Sequence, residues 1–186
     1  MPTLFALSEG IRKCTSCPLY KGSTLAVPGE GPQNAKLMIL GEAPGEEEDR
    51  QGLPFVGRSG KYLESLLKTA GINRKEVFIT NAVKHRPSGN RTPKASEIKI
   101  CAELWLDKQI GVIKPRLIIL LGSVALRSMK IQGTVEKLHG KIIKKNGQNY
   151  FITFHPSAAM RFPQTRKKME SDFKRLEKEI KTIYTK

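Results

Sequence analysis

Two short apolar runs, at residues 36–41 and 116–122, constrain the fold more than any other feature of this 186-residue chain. Both consist almost entirely of Leu, Ile or Met and end in glycine. A strand of a parallel sheet is buried on both faces, so it carries such a run instead of alternating apolar and polar residues. Two shorter runs rich in β-forming residues, at 77–81 and 150–155, predict two further strands.

Helical patterns separate these strands. Ser59 is a candidate N-cap for a helix that Gly71 ends, and residues 95–110 and 123–129 predict two more. The C-terminal segment predicts an amphipathic helix, because its apolar residues recur in steps of three and four: Met169, Phe173, Leu176, Ile180 and Ile183. Alternating strands and helices predict an α/β fold with a parallel sheet covered on both faces. No repeat or linker interrupts the sequence, so we expect one domain spanning residues 1–186.

The charge of the chain is strongly positive and unevenly distributed. The chain has 33 Lys and Arg against 17 Asp and Glu, and residues 111–186 hold 17 of the basic but only five of the acidic residues. This excess favours a polyanionic partner, above all a nucleic acid. The charge-rich surface of a thermophile is the alternative. A candidate phosphate-contacting patch consists of Arg161, Arg166, Lys167 and Lys168.

Residues that can carry chemistry follow the predicted strands. Gly-Glu-Ala-Pro-Gly at 41–45 follows the first strand, Asn81 ends the second, Gly122 and Ser123 follow the third, and His-Pro-Ser at 155–157 ends the fourth. In open α/β sheets the ligand crevice lies outside the carboxyl ends of the strands. The four segments are therefore expected to converge on one cleft.

Glu42 and the acidic run at 46–49 supply carboxylates to this cleft. Glu42 is placed to orient a water molecule or to stabilise a cation, and a solvated loop glutamate is the alternative. Four consecutive acids suit the first turn of a helix, where the helix dipole favours negative charge. Since acids repel phosphate, one of them is also expected to point inward and shape a base pocket.

Three further side chains suit the recognition of a nucleobase. Phe55, in a glycine-flanked loop, offers a flat apolar surface on which an extruded base can stack. Asn81 offers an amide that both donates and accepts, and His155 can hydrogen-bond a carbonyl that gains negative charge during reaction. Taken singly, such residues more often close a loop, form a turn or lie buried as structural histidines. The prediction therefore depends on their convergence.

The three cysteines predict a metal or cluster site. Cys14 and Cys17 have the two-residue spacing that suits a metal, and Cys101 lies in a predicted helix. Their number is odd and no secretory leader precedes them, so disulfides are not expected. Three thiolates favour zinc or iron–sulfur and need a fourth ligand, for which the candidate histidines are His85, His139 and His155.

Five motifs occur in order through nearly the whole chain. They are GEAPGEEED at 41–49, GLPFVGRSG at 52–60, ITNAVK at 79–84, Arg-Pro at 86–87 with Asn-Arg at 90–91, and HPS at 155–157. In residues and in spacing, these motifs closely resemble the family 4 uracil-DNA glycosylases. The resemblance implies a three-layer α/β/α sandwich around a four-stranded parallel sheet. It also implies hydrolysis of the N-glycosidic bond of deoxyuridine in DNA and a structural four-iron four-sulfur cluster.

The resemblance also implies roles for individual residues. Phe55 would stack on the flipped uracil, Asn81 would bond its polar edge, and His155 would stabilise charge on its O2 atom. Glu42 would polarise water or stabilise the oxocarbenium-like sugar, and Glu48 would crowd the 5-position of the base and exclude thymine. The implied catalytic residues are Glu42, Asn81 and His155, and the implied substrate-binding residues are Ala43, Glu48, Phe55, Asn81, His155, Ser157 and Arg161.

The cluster site departs from the family pattern at one position. His85 stands where family members usually carry a cysteine, so the resemblance implies a Cys3His site formed by Cys14, Cys17, His85 and Cys101. An imidazole in place of a thiolate would make the cluster less negative and raise its potential. A weakened or missing cluster, or zinc in its place, is the alternative.

A second departure concerns the residue that fills the gap left by the flipped base. Ala159 stands where the family usually has a bulky leucine, and Met160 or Phe162 is expected to substitute for it. A related branch that traps the sugar covalently carries an inserted basic loop, which residues 87–91 lack. Turnover is therefore favoured over trapping.

We expect a monofunctional uracil-DNA glycosylase that leaves an abasic site. The alternatives are a non-catalytic or covalently trapping uracil-DNA-binding protein and a nucleic-acid-binding cluster protein without uracil preference. The expected partner is uracil-containing DNA, single- or double-stranded, bound by a monomer, and the sequence carries no readable signal for a sliding-clamp contact. No apolar run approaches the roughly 18 residues of a membrane span. We therefore expect a cytoplasmic, nucleoid-associated enzyme without a membrane partner.

Overall fold

The computed structural model describes the backbone of residues 3–185 and the side chains of residues 3–181. Within these residues one sheet has the strand order β2-β1-β3-β5-β4. Strands β1, β2, β3 and β5 are parallel, and β4 pairs with β5 in the antiparallel sense. The strands are β1 Leu37–Gly41, β2 Val77–Asn81, β3 Leu117–Leu121, β4 Ile142–Lys145 and β5 Gln148–Thr153. The α/β class is confirmed, and the parallel sheet of four strands gains a fifth strand at its edge.

The additional strand follows from a tight hairpin. Asn146 and Gly147 connect β4 to β5 with φ values of 49° and 80°, and Asn-Gly is the preferred dipeptide for such a turn. The β4 strand alternates between exposed and half-buried residues, so it lacks the continuous apolar runs of β1 and β3. Its two lysines suit a sheet edge, because charged side chains discourage pairing with another chain.

The helices cover both faces of the sheet. They are α1 Leu4–Arg12, α2 Glu46–Gln51, α3 Arg58–Thr69, α4 Ala95–Cys101, α5 Asp107–Ile113, α6 Gly122–Ser128, α7 Val135–Leu138, α8 Pro156–Arg161 and α9 Pro163–Thr185. A π-helical turn, Ala102–Leu106, joins α4 to α5, so the helix predicted over 95–110 forms with an internal bulge. Gly57 is the N-cap of α3, and the candidate cap Ser59 lies inside its first turn.

Two apolar layers hold the sandwich together. On one face, Ile39 and Ile119 of the central strands pack with α3 and with Phe173 of α9. On the other face, Leu40 and Leu120 pack with residues of α1, α5 and α6. The apolar stripe predicted for α9 is buried at Met169, Phe173, Leu176 and Ile180, and the side chain of Ile183 lies outside the described residues. None of the helices in the described part of the chain is long and apolar enough to cross a membrane.

Candidate active site

A concave pocket of about 270 Å³ lies at the carboxyl ends of β1, β2 and β5. These strand ends bring together Glu42, Asn81 and His155, so three of the four predicted segments converge. The pocket is lined by Glu42, Ala43, Pro44, Gly45, Glu48, Phe55, Ser59, Asn81, Pro87, Asn90, Arg91, His155 and Ser157.

The fourth segment was expected in the cleft, but it does not line the pocket. Gly122 begins α6 with a φ of 88°, and a Cβ built on it would stand 3.0 Å from Cβ of His155. The glycine therefore allows the end of β3 to approach the end of β5. Arg161, which was also expected to contact substrate, is exposed at the end of α8 and does not line the pocket.

Asn81 is the deepest polar residue of the pocket. Its side chain is 1% exposed, and its Oδ1 atom is a buried side-chain acceptor without a hydrogen-bond partner, the one such atom among the described residues. Gly41 lies opposite Asn81 in the register of β1 and β2. A Cβ on Gly41 would stand 2.3 Å from Asn81 Oδ1 and 2.6 Å from the ring of Phe55. The amide and the ring therefore share the space that the missing side chain leaves.

Phe55 is held in a left-handed backbone conformation, with a φ of 52°. Such a conformation is uncommon for a residue other than glycine, and it indicates a local constraint. Glu48 supplies that constraint, because its Oε1 atom accepts hydrogen bonds from the backbone N–H groups of Val56 at 2.9 Å and Gly57 at 2.8 Å. The ring of Phe55 lies 6.0 Å from the ring of His155, tilted by 37°.

The acidic run forms the first turn of α2, as the helix-dipole interpretation predicted. Glu46 and Glu47 are exposed, Asp49 is buried, and Glu48 lines the pocket. The Oε2 atom of Glu48 accepts from the N–H of Gly45 at 3.1 Å. The inward-facing acid is thus Glu48, and its carboxylate is fixed by the main chain on two sides of the pocket.

The tautomer of His155 follows from its neighbour Ser157. The backbone N–H of Ser157 donates to Nδ1 of His155 at 3.2 Å, and Ser157 Oγ lies 2.7 Å from the same atom. Because Nδ1 is an acceptor, the proton of the neutral ring is on Nε2. Burial lowers the pKa of His155 to about 4, and the charge of Glu48 opposes that shift. At neutral pH the ring is therefore an uncharged donor through Nε2.

Glu42 and Glu48 are the two half-buried carboxylates of the pocket. Burial raises the pKa of Glu42 above its usual range, and the charge of Arg127 on α6 acts in the opposite direction. A carboxylate with a raised pKa is a better proton acceptor than a solvated one. The pocket thus combines a proton acceptor, an uncharged donor, a flat apolar ring and an amide with an unused acceptor.

Comparison with known proteins assigns the chain to a family. Residues 28–181 match the family model described as the Uracil DNA glycosylase superfamily. The chain belongs to this superfamily. It is 40% identical to the Type-4 uracil-DNA glycosylase of Sulfurisphaera tokodaii, over 95% of this chain and 84% of the relative. It is 43% identical to that of Thermotoga maritima, over 83% and 82%, and 33% identical to a Type-5 uracil-DNA glycosylase of Pyrobaculum aerophilum, over 70% and 65%.

These relatives confirm the resemblance to family 4 uracil-DNA glycosylases. The resemblance implies a cluster, and the three cysteines of this uracil-DNA glycosylase superfamily member are its expected sulfur ligands. Cys17 and Cys101 are buried and Cys14 is half-buried. Burial raises the pKa of Cys101 to about 11 and also raises that of Cys17, and the charge of one thiol acts on the next. The three sulfur atoms therefore lie within electrostatic reach of one another.

The surroundings of the cysteines fit sulfur ligands of a metal or cluster. Trp105 Nε1 donates to Cys14 Sγ at 3.2 Å, and main-chain groups of Leu19 and Lys84 hydrogen-bond Cys17 and Cys101. Hydrogen bonds to sulfur are a recurring feature of iron–sulfur sites. In the described part of the chain, no group of three or more His, Cys, Asp or Glu side chains is close enough to hold a metal ion.

His85, the expected fourth ligand, is also buried. Burial lowers the pKa of His85, and the charge of Asp49 opposes that shift. Asp49 in turn accepts from the N–H of Thr24 at 2.9 Å. Buried thiols are the kind of ligand that the expected cluster needs, whereas ligation by Cys14, Cys17, Cys101 and His85 stays a prediction.

One side of the pocket is formed by Pro87, Asn90 and Arg91, which the sequence did not predict to line it. Arg86 Nε donates to Asn90 Oδ1 at 2.9 Å, and Arg91 forms a two-pronged pair with the buried Glu97. The Arg-Pro and Asn-Arg motifs marked these positions, but their spacing alone did not indicate that they close one side of the pocket.

Two of the four residues in the predicted phosphate-contacting patch form ion pairs within the chain. Arg166 Nε donates to Glu170 at 3.0 Å, and Lys168 pairs with Glu136. Arg161 and Lys167 are exposed. These two residues, rather than all four, are the stronger candidates for contacts with a phosphate backbone.

Proposed function

We propose that this protein removes uracil from DNA by hydrolysing the N-glycosidic bond, which leaves an abasic site for repair. The observation that carries the proposal is the buried, unpartnered Oδ1 atom of Asn81, adjacent to the ring of Phe55. A buried acceptor without a partner costs free energy. A ligand with an N–H group at that position removes the cost. The names of the Type-4 relatives support the same reaction.

Uracil complements this arrangement in three ways. Its face would stack on Phe55, its N3–H would donate to Asn81 Oδ1, and its O4 would accept from Asn81 Nδ2. Its O2 would accept from the Nε2–H of His155. The dimensions of the pocket require the base to leave the duplex, so the enzyme acts on a flipped nucleotide or on single-stranded DNA.

His155 contributes to catalysis because the departing uracil carries negative charge. When the bond between C1′ and N1 breaks, the electron pair moves onto the base and is shared with O2. A neutral donor fixed by Ser157 forms a stronger hydrogen bond with that anion than with the ground-state carbonyl, and this difference lowers the barrier. The pKa of about 4 keeps His155 in the required neutral form.

Glu42 acts on the other side of the broken bond. The water molecule adds its oxygen to C1′ and transfers a proton to the Glu42 carboxylate, while the negative charge of that carboxylate also stabilises the oxocarbenium-like sugar. Glu48, fixed by Gly45, Val56 and Gly57, lines the pocket where it would crowd the 5-methyl group of thymine.

The wedge that fills the vacated space in the duplex is assigned by exposure. Ala159 is 1% exposed and packs in the core, so it cannot enter DNA. Met160 and Phe162 are 45% and 54% exposed at the end of α8. We propose that these two side chains insert into the base stack.

We further propose that Cys14, Cys17, Cys101 and His85 hold a four-iron four-sulfur cluster. When bound, such a cluster cross-links the segment after α1 to α4 and to the loop after β2, a structural contribution. We also propose a monomer with a single domain over residues 1–186, since one sheet carries the pocket. Since the substrate is DNA, we expect the enzyme to act at the nucleoid.

A direct test uses an oligonucleotide with one uracil, followed by alkaline cleavage of abasic sites. Wild type should yield a cleaved strand from uracil-containing DNA and an intact strand from the thymine control. Asn81→Ala should lose about 100-fold or more of this activity, whereas the exposed Asn34→Ala should not. Tight binding of uracil DNA without cleavage, or an adduct with the enzyme, would instead identify a binding or trapping protein.

A further inference from the structure

Lys84 is a buried cation next to the cysteine site. Its side chain is 1% exposed. The Nζ atom donates to Thr80 Oγ1 at 2.6 Å, to the carbonyl oxygen of Asn81 at 2.9 Å and to Gln109 Oε1 at 2.8 Å. All three ammonium protons are therefore used, and all three acceptors are neutral.

The cage around the ammonium group is oriented to accept a cation. The hydroxyl of Thr80 donates to the carbonyl of Pro28 at 3.0 Å, and Gln109 Nε2 donates to the same carbonyl at 2.7 Å. Because both donors are engaged there, Thr80 and Gln109 present oxygen lone pairs to Lys84. Both residues are 0% exposed, so water does not supply these contacts.

The ammonium has only neutral partners among these contacts, and the cysteine site is adjacent to Lys84. A buried charge is costly unless an opposite charge compensates it. The backbone of Lys84 hydrogen-bonds Cys101, and Lys84 directly precedes His85, the expected fourth ligand. Cys101 is also within electrostatic reach of Cys14 and Cys17. Three thiolates on a metal or cluster leave net negative charge.

We propose that Lys84 is a positioning residue that supplies the fixed positive charge for the site formed by Cys14, Cys17 and Cys101. The inference rests on the proposed occupation of that site by a cluster or metal ion. Lys84 also bonds the carbonyl of Asn81, whose side chain lies in the pocket. The same ammonium thereby connects the cysteine site to the residue that recognises the base.

Two substitutions remove the positive charge in different ways. Lys84→Met deletes the ammonium but keeps most of the side-chain volume. Gln109→Glu keeps Lys84 in place and neutralises it with a carboxylate at the position of Oε1, so it remains informative if Lys84→Met fails to fold. Lys144→Met, on the exposed edge strand β4, is the matched control.

The experiment measures iron and sulfide content, the rate of iron loss to a chelator and the midpoint potential of anaerobically purified protein. Both Lys84→Met and Gln109→Glu should lose iron about tenfold faster than wild type and should have a lower midpoint potential, because reduction adds negative charge. Lys144→Met should match wild type. If the metal is zinc, its release rate to a colorimetric chelator gives the same comparison.

Wild-type release rates and potentials in both charge variants would overturn the inference, as would a wild-type protein that holds neither iron nor zinc. Neither result affects uracil release by the wild type, which is measured separately. Conversely, absence of uracil release would contradict the proposed function while leaving the metal measurements intact. The two failures are therefore distinguishable.

Discussion

Gly41 and Asn81 lie opposite each other in the β1–β2 register, and a Cβ on Gly41 would stand 2.3 Å from the Oδ1 atom of Asn81. The same Cβ would stand 2.6 Å from the ring of Phe55. The absence of a side chain at position 41 is thus what allows the amide and the ring to form one base-binding surface.

Gly41→Ala should therefore damage the pocket more than the fold. We expect kcat/KM for uracil release to fall by about 100-fold, since displacing a positioned group by about 1 Å has an effect of that size. The free energy of unfolding should fall by about 1–3 kcal/mol through overpacking. Gly111→Ala is the control, because a Cβ at that helical position meets nothing within 4 Å. Equal kinetics for both variants would refute this assignment.

Protonation of Glu42 should cause the loss of activity on the acid side of the pH–rate profile, its acid limb. Its pKa is raised by burial, so activity should fall as pH drops through a value above that of an ordinary glutamate, about 4.3. His155, with a pKa of about 4, stays neutral until a lower pH. In Glu42→Gln the residual activity should lose this limb and decline only near pH 4, whereas Glu76→Gln, at an exposed position, should retain the wild-type profile. An unchanged acid limb in Glu42→Gln would exclude this role.

Glu48 should be needed both for stability and for selectivity. Glu48→Ala leaves three backbone N–H groups without their carboxylate, so we expect a loss of about 2–3 kcal/mol in the free energy of unfolding and a lower rate of uracil release. It should also admit thymine, which is measured as thymine released from a control oligonucleotide. Glu47→Ala, at the exposed neighbouring position, should change stability by less than about 0.5 kcal/mol. If Glu48→Ala and Glu47→Ala had the same stability and the same thymine release, Glu48 would have neither role.

Removing a wedge should impair activity on duplexes more than on single strands. Met160→Ala and Phe162→Ala should each lower the rate on a uracil-containing duplex, by about tenfold for the more exposed Phe162, because the vacated base stack is then left unfilled. Single-stranded activity should change little. Phe5→Ala, an exposed aromatic on α1, is the control. An equal loss on both substrates would assign these residues to general DNA contact instead.

Arg161 should contact a phosphate instead of the base. Arg161→Ala should weaken DNA binding and reduce the slope of log K against log salt concentration by about 0.7–0.9. The preference for uracil over thymine should remain. Arg12→Ala on α1 should leave the slope unchanged. A loss of uracil preference in Arg161→Ala would instead indicate that Arg161 contacts the base in the pocket.

Much of the fold could be predicted because the central strands are apolar along their whole length. The runs ending at Gly41 and Gly122 have no other stable location than a sheet covered on both faces. The β4 strand was not predicted, because Ile-Ile-Lys-Lys is neither a continuous apolar run nor a strict alternation of apolar and polar residues. Its presence follows from pairing with β5 after the Asn-Gly turn.

The pocket could be predicted only in part. Glu42, Asn81 and His155 were identified because they follow strands whose ends must meet at one edge of the sheet. The contacts of Glu48 with Val56 and Gly57 depend on loop geometry, which residue type and spacing do not specify. Lys84 ends the motif at 79–84, but its burial could not be predicted, since a lysine next to a strand is usually exposed and only the packing of Gln109 and Pro28 reveals its cage.

The most direct test of the account is the number of uracil bases released per enzyme molecule, measured by chromatography with excess uracil-containing oligonucleotide. Wild-type protein should release many free uracil bases per enzyme molecule, with an abasic product of matching amount, and Asn81→Ala should lose nearly all release. Release of one equivalent or less, with the enzyme attached to the DNA or the base still in place, would contradict it.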